Sequence, residues 1–393
     1  METLGIYVQV PFCASKCSYC NFSSGVARSA AFDSYTHALA QESDRLASFY
    51  EALGISACTL DLPVDTVYVG GGTPSILGAE RLARINSLLR RRFCFQIPPE
   101  FTLEITPGSA DDAYLKKARA LGVNRLSIGA QTFDDGELRA VGRLHSAQET
   151  RDLVQRARRA GFTNLSLDMV AGLPHQTEAS WLRSLQEAAR LRPEHFSVYL
   201  FEIDEKSRLG KEVLHGGNRY HAGTVPDDDF MADAYEQAQA FLAREGYFHY
   251  EISNFALPGF ESRHNQKYWQ LQPYAGLGAG AHSFDGAHRW ANVTAAEAYV
   301  AKLARGESPI AEHRQLSCEE QLEEFFFLGL RQTEGVNLAP ARHRWGDDLV
   351  NRWQERISAS VREGLLEKVH DQVRLTERAY LISNEVFQEF VTL

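Results

Sequence analysis

The chain has 393 residues, 44% hydrophobic, 23% charged and 11% aromatic, a globular balance that excludes a collagenous or wholly disordered polypeptide and a length that suggests about two or three domains. Forty-one Lys plus Arg against 51 Asp plus Glu give a net charge of −10, which argues against a nucleic-acid partner because phosphate-backbone binding needs a basic face. No apolar run nears the ~18–20 residues that span a bilayer, and residues 1–9 lack the basic start and apolar stretch of a signal peptide, so we expect a cytoplasmic protein without a membrane span.

Ile6-Tyr7-Val8-Gln9-Val10 alternates β-favouring residues with others and stops at Pro11, which predicts a strand feeding the next segment. There Cys13, Cys17 and Cys20 crowd one loop, while Cys58, Cys94 and Cys318 are scattered. That is no disulfide framework; a tight cluster in a chain of this kind suggests metal or redox chemistry. A helix is predicted over 31–53. Then come a strand over 66–69, a helix over 79–91, a strand over 101–105, a helix over 111–121, a strand over 125–128 and helices within 134–160. A strand over 164–170, a helix over 178–191 and a strand over 196–201 complete six units. The basic run Arg90-Arg91-Arg92 reads as the solvated end of a helix.

Alternating strands and helices favour an α/β fold with a parallel sheet. Six units are fewer than the eight of a closed barrel, so a partial (β/α)6 barrel over 1–225 is expected. Its strand ends carry Cys13, the stretch Gly70-Gly71-Gly72-Thr73, Glu104, Gln131 and Asp168, where one mouth can collect them. Beyond this the rhythm changes. Residues 226–310 are expected to form a connecting α+β region, with a helix over 228–244, a strand over 247–252 and a glycine-rich stretch over 274–280. Residues 311–393 are expected to form a helical, winged-helix-like cap with a short hairpin over 365–375.

Cys13-Ala-Ser-Lys-Cys17-Ser-Tyr-Cys20 is a C-x3-C-x2-C spacing. Structural zinc usually takes four protein ligands in closed pairs, and no second pair is present. Iron-sulfur clusters also normally take four thiolates, so three leave one iron open to an outside ligand. An incomplete zinc site and three buried thiols are the blander readings. The spacing resembles that of the radical S-adenosylmethionine (SAM) superfamily, and the resemblance implies a 4Fe-4S cluster whose open iron is chelated by SAM. It further implies electron transfer into the sulfonium, release of a deoxyadenosyl radical and hydrogen abstraction. On that resemblance Cys13, Cys17 and Cys20 are the metal ligands, and Tyr7, Tyr19, Gly71, Gly72, Thr73, Glu104, Gln131, Arg143 and Asp168 are the SAM contacts. Glycines after the second strand let main-chain groups approach the SAM amino group, and Glu104 offers acceptors to the ribose hydroxyls. The alternative readings are a solvated strand-end acid for Glu104 and a surface helix residue for Arg143.

Further motifs narrow the resemblance to the oxygen-independent coproporphyrinogen III oxidase family and its relatives. They are Gly70-Gly71-Gly72-Thr73-Pro74, Ser127-Ile-Gly-Ala-Gln131-Thr-Phe133, Asp168-Met-Val-Ala-Gly172-Leu-Pro174, Gly276-Leu-Gly278-Ala-Gly280-Ala-His282-Ser283 and Phe327-Leu-Gly329-Leu-Arg331. The decarboxylating oxidases carry a further cysteine two places after the third ligand, where this chain has Phe22. Arg263-His264-Asn265-Gln266-Lys267-Tyr268-Trp269 is instead similar to the H-N-x-x-Y-W motif of HemW-type haem chaperones. An imidazole can ligate haem iron and aromatic faces can pack on the macrocycle, so His264, Asn265, Tyr268 and Trp269 are candidate haem contacts; a structural hydrogen-bonding role is the alternative for His264. The resemblance implies transfer of haem to an acceptor protein, a membrane respiratory enzyme among the candidates. It also implies a flavodoxin- or ferredoxin-like electron donor and allows a homodimer. Oxidative decarboxylation of porphyrinogen propionates is the competing activity. Relatives often have histidine where this chain has Gln9, and asparagine before the proline of Glu104-Ile105-Thr106-Pro107.

Overall fold

A parallel strand covered on both faces is apolar along most of its length, and Leu4–Val10 (β1) obeys this, with only Tyr7 partly exposed. In the computed structural model, which describes residues 2–391, β1 is followed by Val64–Gly71 (β2), Phe95–Ile105 (β3), Arg125–Gln131 (β4), Leu165–Ala171 (β5) and His195–Leu200 (β6). Each pairs in parallel with the next. The crossovers are Ser29–Glu51 (α1), Ala79–Arg92 (α2), Asp112–Ala120 (α3), Asp135–Ala140 (α4), Ala147–Arg159 (α5) and Glu178–Arg190 (α6). α5 begins at a capping box, Ser146 with Glu149, and buries Leu153, Val154 and Ala157, as an amphipathic helix on a sheet should. Arg90, Arg91 and Arg92 form the last turn of α2, where cations suit the helix dipole, and Arg91 pairs with Asp44 at 2.6 Å.

The six-strand expectation is met, and the structure adds to it. Arg208–Leu214 (α7) and Asp228–Arg244 (α8) lead into Phe248–Glu251 (β7) and Asn254–Ala256 (β8), followed by Arg263–Trp269 (α9). Next come Tyr274–Leu277 (β9), His282–Phe284 (β10), His288–Asn292 (β11), Ala296–Ala304 (α10) and Ile310–Gln315 (β12). The result is a twelve-stranded sheet in the order β12-β11-β10-β9-β1-β2-β3-β4-β5-β6-β8-β7, an open arrangement with two edges. Strands from residues 226–310 join this sheet: β9 pairs in parallel with β1, and β8 pairs antiparallel with β6. One apolar core runs from Leu4 to Leu303.

The glycine-rich stretch is part of this frame. The Glu42 carboxylate on α1 accepts from the Gly278 amide at 2.8 Å and from Asn292 Nδ2 at 2.6 Å, and also from the Tyr299 hydroxyl. Gly278 has φ +102°, and a Cβ there would lie 2.5 Å from the Tyr35 hydroxyl, so only glycine fits this crossing. His282 is exposed on β10.

The C-terminal part has its own core. Cys318–Gly329 (α11), Leu338–Trp345 (α12), Asp347–Asn351 (α13), Gln354–Arg362 (α14) and Ser383–Gln388 (α15) pack around a small sheet. Its strands are Val336–Asn337 (β13), Leu366–Val369 (β14) and Gln372–Leu375 (β15), in the order β13-β15-β14. That is the helical cap with a hairpin wing read from the sequence. A bidentate pair between Arg289 and Glu324, at 2.6 and 2.8 Å, ties α11 to β11. No helix among the described residues is long and apolar enough to cross a membrane.

Candidate functional site

Pro11 ends β1, and the chain then passes through a two-residue parallel ladder of Phe12–Cys13 with Gly25–Val26. The loop between them carries the three cysteines, all free and half-buried. It is anchored from three sides. The Gly72 amide donates to Val10 O at 2.8 Å and the Thr73 amide to Phe12 O at 2.7 Å. The Ser18 amide donates to Val141 O at 3.0 Å and the Leu209 amide to Ser18 O at 2.8 Å. Asn21 Nδ2 reaches Asp204 Oδ2 at 2.7 Å.

The donor set fits a cluster better than a single ion. Among the described residues no three His, Cys, Asp or Glu side chains converge on one metal position. In a 4Fe-4S cluster each thiolate binds a different iron, so three spaced thiols on one loop suit it. Gly72 keeps the space beside them: a Cβ there would lie 2.4 Å from Phe12 O and 3.0 Å from Cys13 Sγ. Gly72→Val should therefore push the loop off the glycine turn. We expect reconstituted iron per chain to fall by more than half while the far-UV spectrum is kept; full iron loading would show that the loop yields freely.

Behind the loop lies a cavity of about 560 Å³, lined by Cys13, Cys17, Cys20 and the ends of β1 to β6. The Glu104 carboxylate accepts from the Gly71 amide at 2.8 Å. The Gly71, Gly72 and Thr73 amides are thus all committed within the protein, so a ligand amino group at this turn meets carbonyls. Asp168 accepts from Ser127 Oγ at 3.0 and 3.1 Å and from Ser166 Oγ at 3.4 Å. Tyr19, on the cysteine loop, donates to Gln131 Oε1 at 2.5 Å and accepts from Arg143 Nη2 at 3.0 Å. Gln131 holds φ +68°, a left-handed strain that persists where the surroundings enforce it. Arg143 is not a surface helix residue; its Nε is buried and unpartnered. Tyr7 donates to Gln9 Oε1 at 2.7 Å, so glutamine takes the place often held by histidine and bonds inside the wall.

Burial pushes the Glu104 carboxyl up to about 7, with Tyr68 and the Gly71 amide pulling against it and the Asp168 charge adding to it. Glu104 is therefore not a solvated strand-end acid. A folded value above the ordinary 4.5 means that the folded protein holds the proton longer. Its stabilising share is complete below pH 4.5, falls as pH rises and is gone above pH 7. Each unit corresponds to about 1.4 kcal/mol, about 3 kcal/mol in all. Glu104→Gln should flatten the pH dependence of urea unfolding across this window in the ligand-free protein; equal slopes for the two proteins would return Glu104 to a solvated setting.

The H-N-x-x-Y-W segment, the expected haem contact, sits largely outside this cavity. It forms α9, which closes the barrel at the opposite ends of the strands, where Glu100 accepts from the Arg263 and His264 amides, each at 3.0 Å. His264 is 1% exposed. Its Nδ1 bonds Thr66 Oγ1 at 2.9 Å and its Nε2 bonds the Tyr268 hydroxyl at 2.9 Å, so both ring nitrogens are taken. The Tyr268 ring packs edge-on against Tyr274, and the Arg331 guanidinium covers the Trp269 ring at 4.5 Å. Asn265 alone of the four candidate haem residues reaches the cavity. Sequence reasoning also passed over Arg125, Tyr68, Ser197 and Tyr199, which line the same cavity; the alternation Arg125, Ser127, Gly129, Gln131 along β4 was the available signal.

Comparison with known proteins places this geometry. Residues 7–188 match the model of the radical SAM superfamily, and residues 316–382 match that of the HemN C-terminal domain. The chain is 32% identical to the heme chaperone HemW of Lactococcus lactis, over 98% of this chain and 96% of that one. It is 34% identical to the HemW of Bacillus subtilis, over 98% of each. Coproporphyrinogen III oxidase (HemN) from Escherichia coli, described as a radical SAM enzyme, superposes over 100% of this chain and 90% of its own with a TM-score of 0.86 at 24% identity. That likeness concerns the fold.

Proposed function

The chain belongs to the HemW family of heme chaperones within the radical SAM superfamily, and from that premise we propose that it binds haem and a SAM-ligated 4Fe-4S cluster and hands the haem to an acceptor protein. Cys13, Cys17 and Cys20 hold the cluster. Glu104 and Asp168 accept from ligand hydroxyls, and the carbonyls of the Gly71-Gly72-Thr73 turn accept from the ligand amino group. Tyr19, held by Gln131 and Arg143, fixes the loop over the bound nucleoside. When bound and reduced, by a flavodoxin- or ferredoxin-like donor in this reading, the cluster supplies an electron to the sulfonium.

The observation that carries the reading is the character of the mouth. Phe22 and Leu144 line it while 64% and 74% exposed, an apolar rim beside three thiols. Such a rim suits a flat apolar macrocycle, and Phe22 stands where the oxidases have their additional cysteine. For α9 we infer a positioning role, supported by the two bonds of His264.

Anaerobic reconstitution followed by haem titration, with and without SAM, tests the proposal: saturable growth of a Soret band is expected. With SAM, reductant and coproporphyrinogen, no catalytic formation of protoporphyrinogen is expected. Multiple turnovers would make the protein an oxidase.

A further inference from the structure

The cavity continues past Glu104 and Asp168 to a deeper layer, and we infer that this layer is a second ligand subsite that takes a carboxylate, held by Arg125 and Asn265. Arg125 opens β4 and faces the cavity in step with Ser127, Gly129 and Gln131. It registers with Thr102 while Ser127 registers with Glu104, so it lies one layer below the ring of acids.

Its side chain is 2% exposed. Among the described residues it has no hydrogen-bond, ion-pair or cation–π partner, and its Nε is buried and unsatisfied. Buried polar groups are almost always paired, and a buried cation without a partner is far costlier than a neutral group. The two nearby acids do not complete it. Asp168 is engaged by Ser127, Ser166 and Ser197, and Glu104 by the Gly71 amide and Tyr68; Arg125 acts on both only as a charge, with no hydrogen bond or ion pair to either among the described residues.

Asn265 supplies the second, independent feature. Its backbone amide is spent on Ser262 Oγ at 3.3 Å, but its carboxamide has no hydrogen bond among the described residues and the residue lines the same cavity. A guanidinium fork and a neutral N–H donor facing one space match a carboxylate in shape and charge. A phosphate dianion fits less well, because Glu104 and Asp168 would repel its second charge. The carboxylate has two sources: a free small organic acid, or an acid side group of the tetrapyrrole, the latter resting on the haem reading above.

The test uses the full-length, anaerobically reconstituted protein with SAM present. Saturation-transfer NMR compares propionate with propionamide, and Soret titration compares haem with its dimethyl ester, on wild type, Arg125→Met and Asn265→Ala. Propionate should bind wild type about tenfold or more tightly than propionamide, with that preference lost in Arg125→Met and weakened in Asn265→Ala. If haem also loses about tenfold on esterification and in Arg125→Met, the tetrapyrrole is the source. If propionate discriminates and haem does not, the source is a free acid. The wild-type comparison of acid with amide needs no variant, so misfolding of Arg125→Met leaves the result decisive. Equal binding of propionate and propionamide to wild type, with haem indifferent to esterification, would overturn the subsite. Failure of haem to bind at all would instead sink the chaperone reading, while the propionate arm still decides the subsite.

Discussion

Cys17→Ala is expected to strip the protein of its iron. In the proposed reading the three thiols on one anchored loop are the whole protein ligand set, because Cys58, Cys94 and Cys318 are exposed elsewhere and cannot substitute. Two remaining thiolates do not hold a cluster that already lacks a fourth. Iron per chain should drop from about four to near zero with loss of the broad visible absorption. SAM affinity should fall by about 100-fold or more, about 3 kcal/mol, because its chelated iron is gone. Folding stability should stay within about 1 kcal/mol of wild type, since the half-buried thiol is a small part of a loop tied down through Ser18, Asn21, Gly72 and Thr73. Iron analysis, equilibrium dialysis with SAM and urea unfolding separate these quantities. Retention of four irons in the variant would remove Cys17 from the ligand set.

The parts of this site that were legible in the sequence are those whose information is local. The cysteine spacing lies within eight residues, and the six parallel strands announce themselves as short apolar runs between amphipathic helices. Glu104, Gln131 and Asp168 were found as polar residues between the middle and the C-terminal end of apolar strands. What spacing could not show is their joining: Tyr19 bonds Gln131 across 112 positions and accepts from Arg143 across 124. The same limit hid β9, a four-residue strand whose parallel partner β1 lies at the other end of the chain. A run so short, interrupted by glycines, carries no period that separates strand from turn. Arg125 was missed for a different reason: a charged residue at the start of a strand looks like a solvated end, yet in the barrel, closed below by α9, it is 2% exposed.

The same closure decides what His264→Ala should do. Burial holds the imidazole down to about 3, with the Lys267 and Arg125 charges adding to the effect, so it is neutral and donates through one nitrogen while accepting through the other. Its two partners, Thr66 Oγ1 and the Tyr268 hydroxyl, each lose a hydrogen bond once it is removed. Each stranded group costs about 1–3 kcal/mol, and the lost ring leaves a void as well. A loss of about 4 kcal/mol in unfolding free energy is expected. Lys267, paired with Asp65 at 2.8 Å, and the Glu100 cap keep α9 in place, so the variant should still fold. Haem affinity per folded molecule should then stay within about threefold of wild type, under 1 kcal/mol, and the Soret position should not move, because neither ring nitrogen faces the cavity. A variant that unfolds like wild type but loses its Soret band would show the reverse: that α9 leaves the barrel floor to offer His264 to the iron, and that the bonds to Thr66 and Tyr268 are a resting latch.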